Sequence, residues 1–377
     1  MKFCLAIALL FAFCTSAQER RTIEQLIDAA KSNEPEVQIH AIDGLVDHYL
    51  PGYLKTGLGA MLSKAGTSVK GKFTDVNTQA IDAWVVVRPD AIDAIGRVAS
   101  GGASFLARAN AARALGILRA KSGLPHLGDA LKARDSQVLY ECLIALQKIR
   151  EPKTAELFLH LIADLDERVQ ITAMETAGVL GAKPAAPSIQ DALQKTRSTK
   201  VRRMAVTALA MIADPGSRPV FEQYFTDKDD QLRGSAAEGF GRLRNASDRA
   251  RIDQRYAEEK KTGPKLSLAF ASALLGRTDL AAGSPITYLI DSLDSRFFHD
   301  TAQPFLIELT RDADIRNAIY PAIRGANRKE KVRLAQLLAI SGDQETLKVL
   351  EVLSNDPDSE VAAEGLKAVR ALKARLG

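Results

Sequence analysis

Apolar residues recur at helical spacing in five segments of the chain, and these segments follow one another at a nearly constant period. They begin at Ser104, Asp135, Asp166, Ser198 and Asp229, and no gap separates one unit from the next. Within each segment, apolar residues stand three, seven and eleven positions after the start. Steps of four place such side chains on one face of an α-helix. The pattern therefore predicts five equivalent helices, each with one buried face.

The first and the eighth residue of each segment predict how these helices begin and how they pack. Every segment starts with Ser or Asp, whose side-chain oxygen can accept a hydrogen bond from an unpaired N–H of the first turn, as an N-cap does. The eighth residue is small in all five segments: Ala111, Cys142, Ala173, Ala205 and Ala236. Cys142 is therefore predicted to be a small buried residue, because apolar burial raises the pKa of a thiol and makes it unreactive.

A second helix is predicted after the first in each repeating unit. Pro125, Pro187 and Pro219 follow the turns, and proline is well tolerated in the first turn of a helix. One helix pair of about 31 residues cannot bury its own apolar face, so neighbouring pairs must stack. Weaker copies begin at Glu34, Pro264, Lys331 and Asp358. The fold predicted for residues 18–377 is a single all-α solenoid of stacked antiparallel helix pairs, roughly ten or eleven of them.

Helix pairs with a capped first helix, an Ala/Leu stripe and a proline opening the second helix resemble HEAT repeats. The short unit is most similar to the phycobilisome-lyase type of HEAT-like repeat, and the resemblance is most specific over residues 104–256. It implies a binding scaffold. Iron-dependent hydroxylases of the deoxyhypusine type share this architecture and carry His-Glu dipeptides as metal ligands, but the chain contains no such dipeptide. Phycobilin lyases, the other related enzymes, act in photosynthetic cytoplasm, whereas this chain is predicted to be exported.

Two regions depart from the repeat pattern. Residues 49–90 are interpreted as one degenerate repeat with an elaborated loop, "TSVKGKFTD" at 67–75, because the interval from Val37 to Ala107 is about two repeat lengths. The register also loosens over residues 257–330, which we interpret as divergent repeats, since helical apolar spacing persists there.

The N-terminal segment, residues 1–17, has the pattern of a cleavable export signal. Lys2 precedes an apolar run from Phe3 to Cys14, and Thr15-Ser16-Ala17 supplies small residues for cleavage after Ala17. A helix as long as this run spans about 18 Å, which is too short for a hydrocarbon core of about 30 Å. The sequence therefore predicts an exported protein, periplasmic or secreted.

Charge and cysteine content narrow the possible functions. The formal net charge of the chain is +5, and removal of Lys2 with the signal leaves +4. So small a net positive charge does not favour nucleic acid as a partner. Cleavage also removes Cys4 and Cys14, so the mature chain retains only Cys142 and is expected to form no intramolecular disulfide.

No residues with the spacing of a catalytic site are found. His40, Asp43 and Asp47 share one helical face and have the chemistry of metal ligands, but a solvated face is the preferred interpretation because Val37, Ala41 and Leu45 form the buried stripe of the same helix. There is no His-Glu-x-x-His motif, no glycine-rich phosphate loop and no Gly-x-Ser-x-Gly motif. We therefore predict no catalytic residue, no metal site and no cofactor.

Two basic stretches are the candidate binding residues. Between Asp47 and Asp75, and between Asp191 and Asp214, several cations occur with no intervening acidic residue. Such clusters attract anionic partners, although they are also common on ordinary solvated surfaces. The residues selected are Lys64, Lys70, Lys72, Phe73, Arg197, Lys200, Arg202 and Arg203.

The predicted function is a non-catalytic scaffold or adaptor that binds another protein with an acidic surface. Two alternatives remain open at this point. One is an enzymatic or metal-dependent activity on the same scaffold. The other is docking to anionic lipid or to an acidic glycan of the membrane or cell wall through the basic stretches.

Overall fold

The computed structural model describes residues 21–52, 80, 81 and 85–377. These residues form α-helices and 3-10 turns, with no β-strand among them. The helices are α1 (Ile23–Ala29), α2 (Pro35–Tyr49), α3 (Pro89–Gly101), α4 (Phe105–Ile117), α5 (Leu124–Ala130), α6 (Ser136–Ile149), α7 (Glu167–Val179), α8 (Ala186–Lys195), α9 (Thr199–Ile212), α10 (Arg218–Tyr224), α11 (Asp230–Leu243), α12 (Arg249–Glu258), α13 (Thr262–Leu274), α14 (Pro285–Asp291), α15 (His299–Leu309), α16 (Ala313–Gly325), α17 (Arg328–Ser341), α18 (Thr346–Leu353) and α19 (Ser359–Leu376).

The helices form an α-solenoid, as predicted. Helices α2, α4, α6, α7, α9, α11, α13, α15, α17 and α19 each pack against the next member of this series, and we call them the first helices. The helices between them in sequence form a second layer that packs against the first, for example α10 on α11 and α18 on α19. The core therefore runs along the whole stack between the two layers.

All five predicted N-caps are confirmed. The hydroxyl oxygens of Ser104 and Ser198 each accept a hydrogen bond from the backbone N–H three residues on, at 3.1 and 3.4 Å. The carboxylates of Asp135, Asp166 and Asp229 each accept from two backbone N–H groups of their helix. Each cap satisfies N–H groups that the helix itself leaves unpaired.

The predicted apolar stripe is also confirmed. Residues three, seven and eleven positions after each cap are buried in all five helices, and the small residues seven positions after the cap are completely buried. Cys142 is one of these and is a free thiol. Burial raises its pKa to about 12, so at neutral pH the thiol is protonated and unreactive.

Three pairs of successive first helices approach closely at a glycine that the sequence pattern did not single out, and we call Gly116, Gly178 and Gly241 the glycine column. A Cβ atom on Gly116 would lie 2.6 Å from the Cα atom of Ala145, and one on Gly241 would lie 2.6 Å from the Cα atom of Ala271. The same contact for Gly178 would be 3.2 Å, to the Cα atom of Ala208. Because the contacted atoms belong to the backbone of the next helix, a side chain here would push the two helices apart.

Six consecutive first helices, α4, α6, α7, α9, α11 and α13, are followed by a residue with a left-handed backbone conformation. Arg119, Arg150, Gly181, Ala213, Arg244 and Gly276 have φ values between +46° and +94° and recur at the repeat period. Glycine is the usual residue at such a helix end, because other L-residues are strained there. Three arginines and an alanine nevertheless occupy this position. Sequence reasoning did not find this column because its residues are so dissimilar.

One unit departs from the predicted helix pair. After α6, two 3-10 turns, Pro152–Leu157 and Leu159–Ala163, take the place of a second α-helix. Phe158 separates them, with a φ of −128° and a ψ of 3° that lie outside the helical range. Its side chain is completely buried, so this break in the helix also contributes to the core.

The first helices before and after residues 50–88, α2 and α4, are direct neighbours in the stack. The side-chain amide of Asn110 on α4 donates to Asp43 on α2 at 2.8 Å, and the backbone N–H of Ala103 donates to the side chain of Gln38 at 2.8 Å. The degenerate repeat predicted for residues 49–90 falls mostly outside the described residues and stays a prediction, as does its loop at 67–75.

The region of loosened register, residues 257–330, is helical and continues the stack. Helix α13 packs against α11 on one side and α15 on the other, and α15 packs against α17. Polar turns join these helices. Because the turns interrupt the apolar pattern, the repeat period of the sequence is less regular in this region.

Replacing Val169 with aspartate tests the register of the stripe. Val169 is completely buried, so Val169→Asp places a charge between repeats and should lower the free energy of unfolding by several kcal/mol, roughly the cost of burying an unpaired polar group. Val352→Asp is the matched control, because Val352 is 73% exposed and should tolerate the change. The measurement is thermal unfolding followed by circular dichroism. Equal melting temperatures for the two variants would contradict the register.

A pair of reciprocal substitutions tests the left-handed column. Ala213→Gly removes a strained alanine at φ +52° and should raise the free energy of unfolding by about 0.5–1 kcal/mol. Gly181→Ala creates the same strain at φ +60° and should lower the free energy of unfolding by about 1 kcal/mol. A Cβ atom at this position would meet no atom within 4 Å, so backbone strain is the only effect expected. Chemical denaturation measures both. Shifts of the same sign would show that the backbone conformation is not the cause.

Candidate functional site

The N-terminal ends of α4, α6, α7, α9 and α11 lie side by side along one edge of the solenoid. Helix α4 packs against α6, and side-chain contacts join the starts of the next three helices: the Arg168 guanidinium donates to Gln137 at 3.1 Å, and the Lys200 ammonium lies 3.6 Å from the Glu167 carboxylate. We call the exposed residues Phe105, Leu106, Leu165, Arg197 and Lys200 on this side the N-terminal edge.

The structure brings the four predicted cations of the second basic stretch to this edge and supplies acids that the local sequence lacks. Arg203 on α9 forms an ion pair with Asp229, the cap of the next first helix, at 2.7 Å. Lys200 pairs with Glu167 of the preceding unit. The Arg202 guanidinium donates to the backbone carbonyl of Thr196 at 3.4 Å. Arg197 is exposed and forms no ion pair with the described residues.

The ion pair between Arg203 and Asp229 joins two successive repeats and also lies at the N-terminal edge. Partial burial opposes ionisation of the Asp229 carboxyl group, but the hydrogen bonds from Arg203 and from the backbone N–H of Leu232 outweigh it, so the pKa of Asp229 is lowered. Arg203 is thus committed to a contact between repeats, and Arg197 and Lys200 are the cations that extend furthest into solvent. The prediction that these residues bind a partner stays a prediction.

Lys64, Lys70, Lys72 and Phe73 of the other basic stretch lie outside the described residues. They therefore stay predictions from the sequence.

Large apolar side chains at the N-terminal edge were not found by sequence reasoning. Phe105 and Leu106, which begin α4, are 60% and 63% exposed, and Leu165, next to the cap of α7, is fully exposed. Between them, the Arg168 guanidinium lies over the Tyr140 ring, 3.6 Å from its centre. The sequence does contain a signal for them, because these residues are apolar although they do not occupy positions of the buried stripe.

Two of the three residues considered as metal ligands, Asp43 and Asp47, accept structural hydrogen bonds. Asp43 accepts from the amide of Asn110, and Asp47 accepts from the backbone N–H of Gly52 at 2.8 Å, while His40 is exposed. Across the described residues, no group of three or more His, Cys, Asp or Glu side chains is arranged to hold a metal ion.

None of the helices in the described part of the chain has both the length and the apolar character needed to cross a membrane.

Comparison with known proteins defines the class of repeat. The fold is an α-solenoid of stacked helix pairs, and a family model described as HEAT repeats matches residues 92–176 and 155–241. This part of the chain therefore consists of HEAT repeats, and the resemblance predicted from the sequence is confirmed. No curated protein matches the chain in sequence.

Similar solved structures are distant in sequence. The complex of CpcE and CpcF of phycocyanin lyase from Nostoc sp. PCC7120 is 18% identical, with 75% of this chain and 98% of that chain covered and a TM-score of 0.40. An engineered protein is 19% identical, with 93% and 98% covered and a TM-score of 0.37. The complex of Kap95p with RanGDP is 14% identical, with 93% and 56% covered and a TM-score of 0.36.

Proposed function

We propose that this chain is an exported, non-catalytic scaffold that binds another protein through its N-terminal edge. The observation that carries the proposal is the exposure of Phe105, Leu106 and Leu165 in a solenoid whose stripe and glycine column already provide the contacts between repeats. Large exposed apolar side chains with no role in packing are typical of interaction surfaces. The HEAT-repeat solenoid supports the same role, because repeat arrays present extended binding surfaces.

The charge of the edge supports an acidic partner. Arg197 and Lys200 are exposed, and Lys200 lies 3.6 Å from the carboxylate of Glu167, two residues after the exposed Leu165. Cations on the same side of the solenoid as exposed apolar side chains raise the rate of association with an acidic surface.

Export is tested by the mass of the mature protein. The chain expressed in its native host should accumulate outside the cytoplasm and begin at Gln18, as measured by intact mass and N-terminal sequencing. The control is Ala17→Pro, which should retain residues 1–17 because small residues are required at the cleavage site. A wild-type protein that keeps residues 1–17 would contradict the proposal.

Binding is tested by affinity purification from the compartment in which the protein accumulates. Mature protein should retain at least one other protein in near-stoichiometric amount, and Phe105→Glu/Leu165→Glu should lose it, because charges replace the apolar contacts. Val352→Glu/Leu376→Glu is the matched control, since both residues are exposed and lie at the C-terminal end of the chain. All variants must show the wild-type melting temperature.

Two results would contradict the binding proposal. One is equal recovery of the same protein by the edge variant and the control. The other is cosedimentation with phosphatidylglycerol vesicles that Arg197→Glu/Lys200→Glu abolishes, with no protein retained, which would instead support membrane docking.

A further inference from the structure

A cleft of about 580 Å³ opens near the C-terminal end of the solenoid. Its walls come from three places: the turn before α15, the exposed face of α17, and the first turns of α19. Charged side chains from all three line it, and none of them belongs to the N-terminal edge.

The carboxylates that line this cleft already have contacts. Asp294 lies 2.9 Å from the Lys329 ammonium, and Glu364 lies 3.5 Å from that of Lys367. Glu360 forms an ion pair with Arg328. The fourth carboxylate, Asp300, lies 3.2 Å from the Nδ1 atom of His299.

Two guanidinium groups in the cleft have no carboxylate partner. Arg296, on the turn before α15, is exposed and forms no ion pair with any described residue. Arg333, on α17, is half-buried, and the one contact of its guanidinium is with the side-chain amide of Gln336 at 3.1 Å. All four lining carboxylates have partners of their own, whereas no ion pair is found for either of these arginines in the part of the chain that the structure describes. Arginine favours carboxylates in such positions because its planar group can donate two parallel hydrogen bonds.

An exposed aromatic residue that follows Arg296 in the chain favours a peptide over a small anion as the ligand of this cleft. Phe297, next to Arg296, is 84% exposed and projects beyond the protein surface. An exposed aromatic ring beside an arginine is typical of the residues that contribute most to protein–protein binding. A small anion, by contrast, would make no apolar contact with an exposed aromatic ring.

We propose that this cleft binds an acidic peptide segment of a partner protein, with Arg296 and Arg333 holding its carboxylates and Phe297 contacting a neighbouring apolar side chain. The inference rests on the proposed function as a protein-binding scaffold. It adds a second contact region, far along the chain from the N-terminal edge, and assigns it the chemistry of its ligand.

The test uses the mature protein and two fluorescein-labelled peptides, hexaglutamate and a pentaglutamate ending in leucine. Fluorescence anisotropy at low salt should show saturable binding of both peptides. Arg296→Glu/Arg333→Glu should weaken it at least tenfold. Arg324→Glu/Arg370→Glu changes the net charge equally at exposed arginines outside the cleft and should change the Kd less than twofold. Phe297→Ala should weaken only the peptide that carries leucine.

Several outcomes would overturn the inference: no saturable binding, equal weakening by the two double variants, or displacement of the peptide by inorganic phosphate at the same concentration of charge. The proposed function is judged separately, by the affinity purification. If the Phe105→Glu/Leu165→Glu variant loses the copurified protein while hexaglutamate binding is absent, the scaffold role stands and the cleft assignment fails.

Discussion

The close contact between successive first helices is the constraint on which the rest of this structure depends. Gly116, Gly178 and Gly241 each lie where a Cβ atom would come within 3.2 Å or less of the backbone of the next helix. Helix backbones that approach this closely leave no room for large side chains between them, so the residues around the contact must be small as well. This explains why the residue seven positions after each cap is Ala or Cys.

The same stacking buries charged groups and requires them to be paired. Arg242 on α11 is almost completely buried, and its guanidinium makes two hydrogen bonds of 2.8 Å to Glu308 on α15. Glu238, one turn before it, accepts from Arg242 at 3.3 Å and from the Ser267 hydroxyl on α13 at 2.8 Å. Breaking such a buried pair costs about 3–5 kcal/mol, because the remaining charge has no partner. The network therefore connects three first helices in the region where the repeat pattern is weakest.

The sequence predicts those features of the fold that depend on neighbours along one helix. The caps at Asp135 and Ser198, the buried stripe and the burial of Cys142 all follow from spacing within a single segment. Features that depend on the next unit were not predictable in this way. The glycine column is visible only when the facing backbone is known. The left-handed position holds Arg, Gly or Ala, because its requirement is a backbone angle and not a side-chain type. The break in the helix at Phe158 depends on how its ring fills the core.

Charge in a repeat stack must be evaluated across repeats as well as along the chain. The second basic stretch contains no internal acid, yet Arg203 meets Asp229 of the following unit and Lys200 meets Glu167 of the preceding one. Stacking brings such residues together because equivalent positions of successive units lie side by side. Arg197, Arg296 and Arg333 remain without an opposite charge among the described residues after this comparison, as do other exposed cations such as Arg324 and Arg370. Since stacking makes no use of them, contact with another molecule is the remaining way in which their charge can contribute a specific interaction.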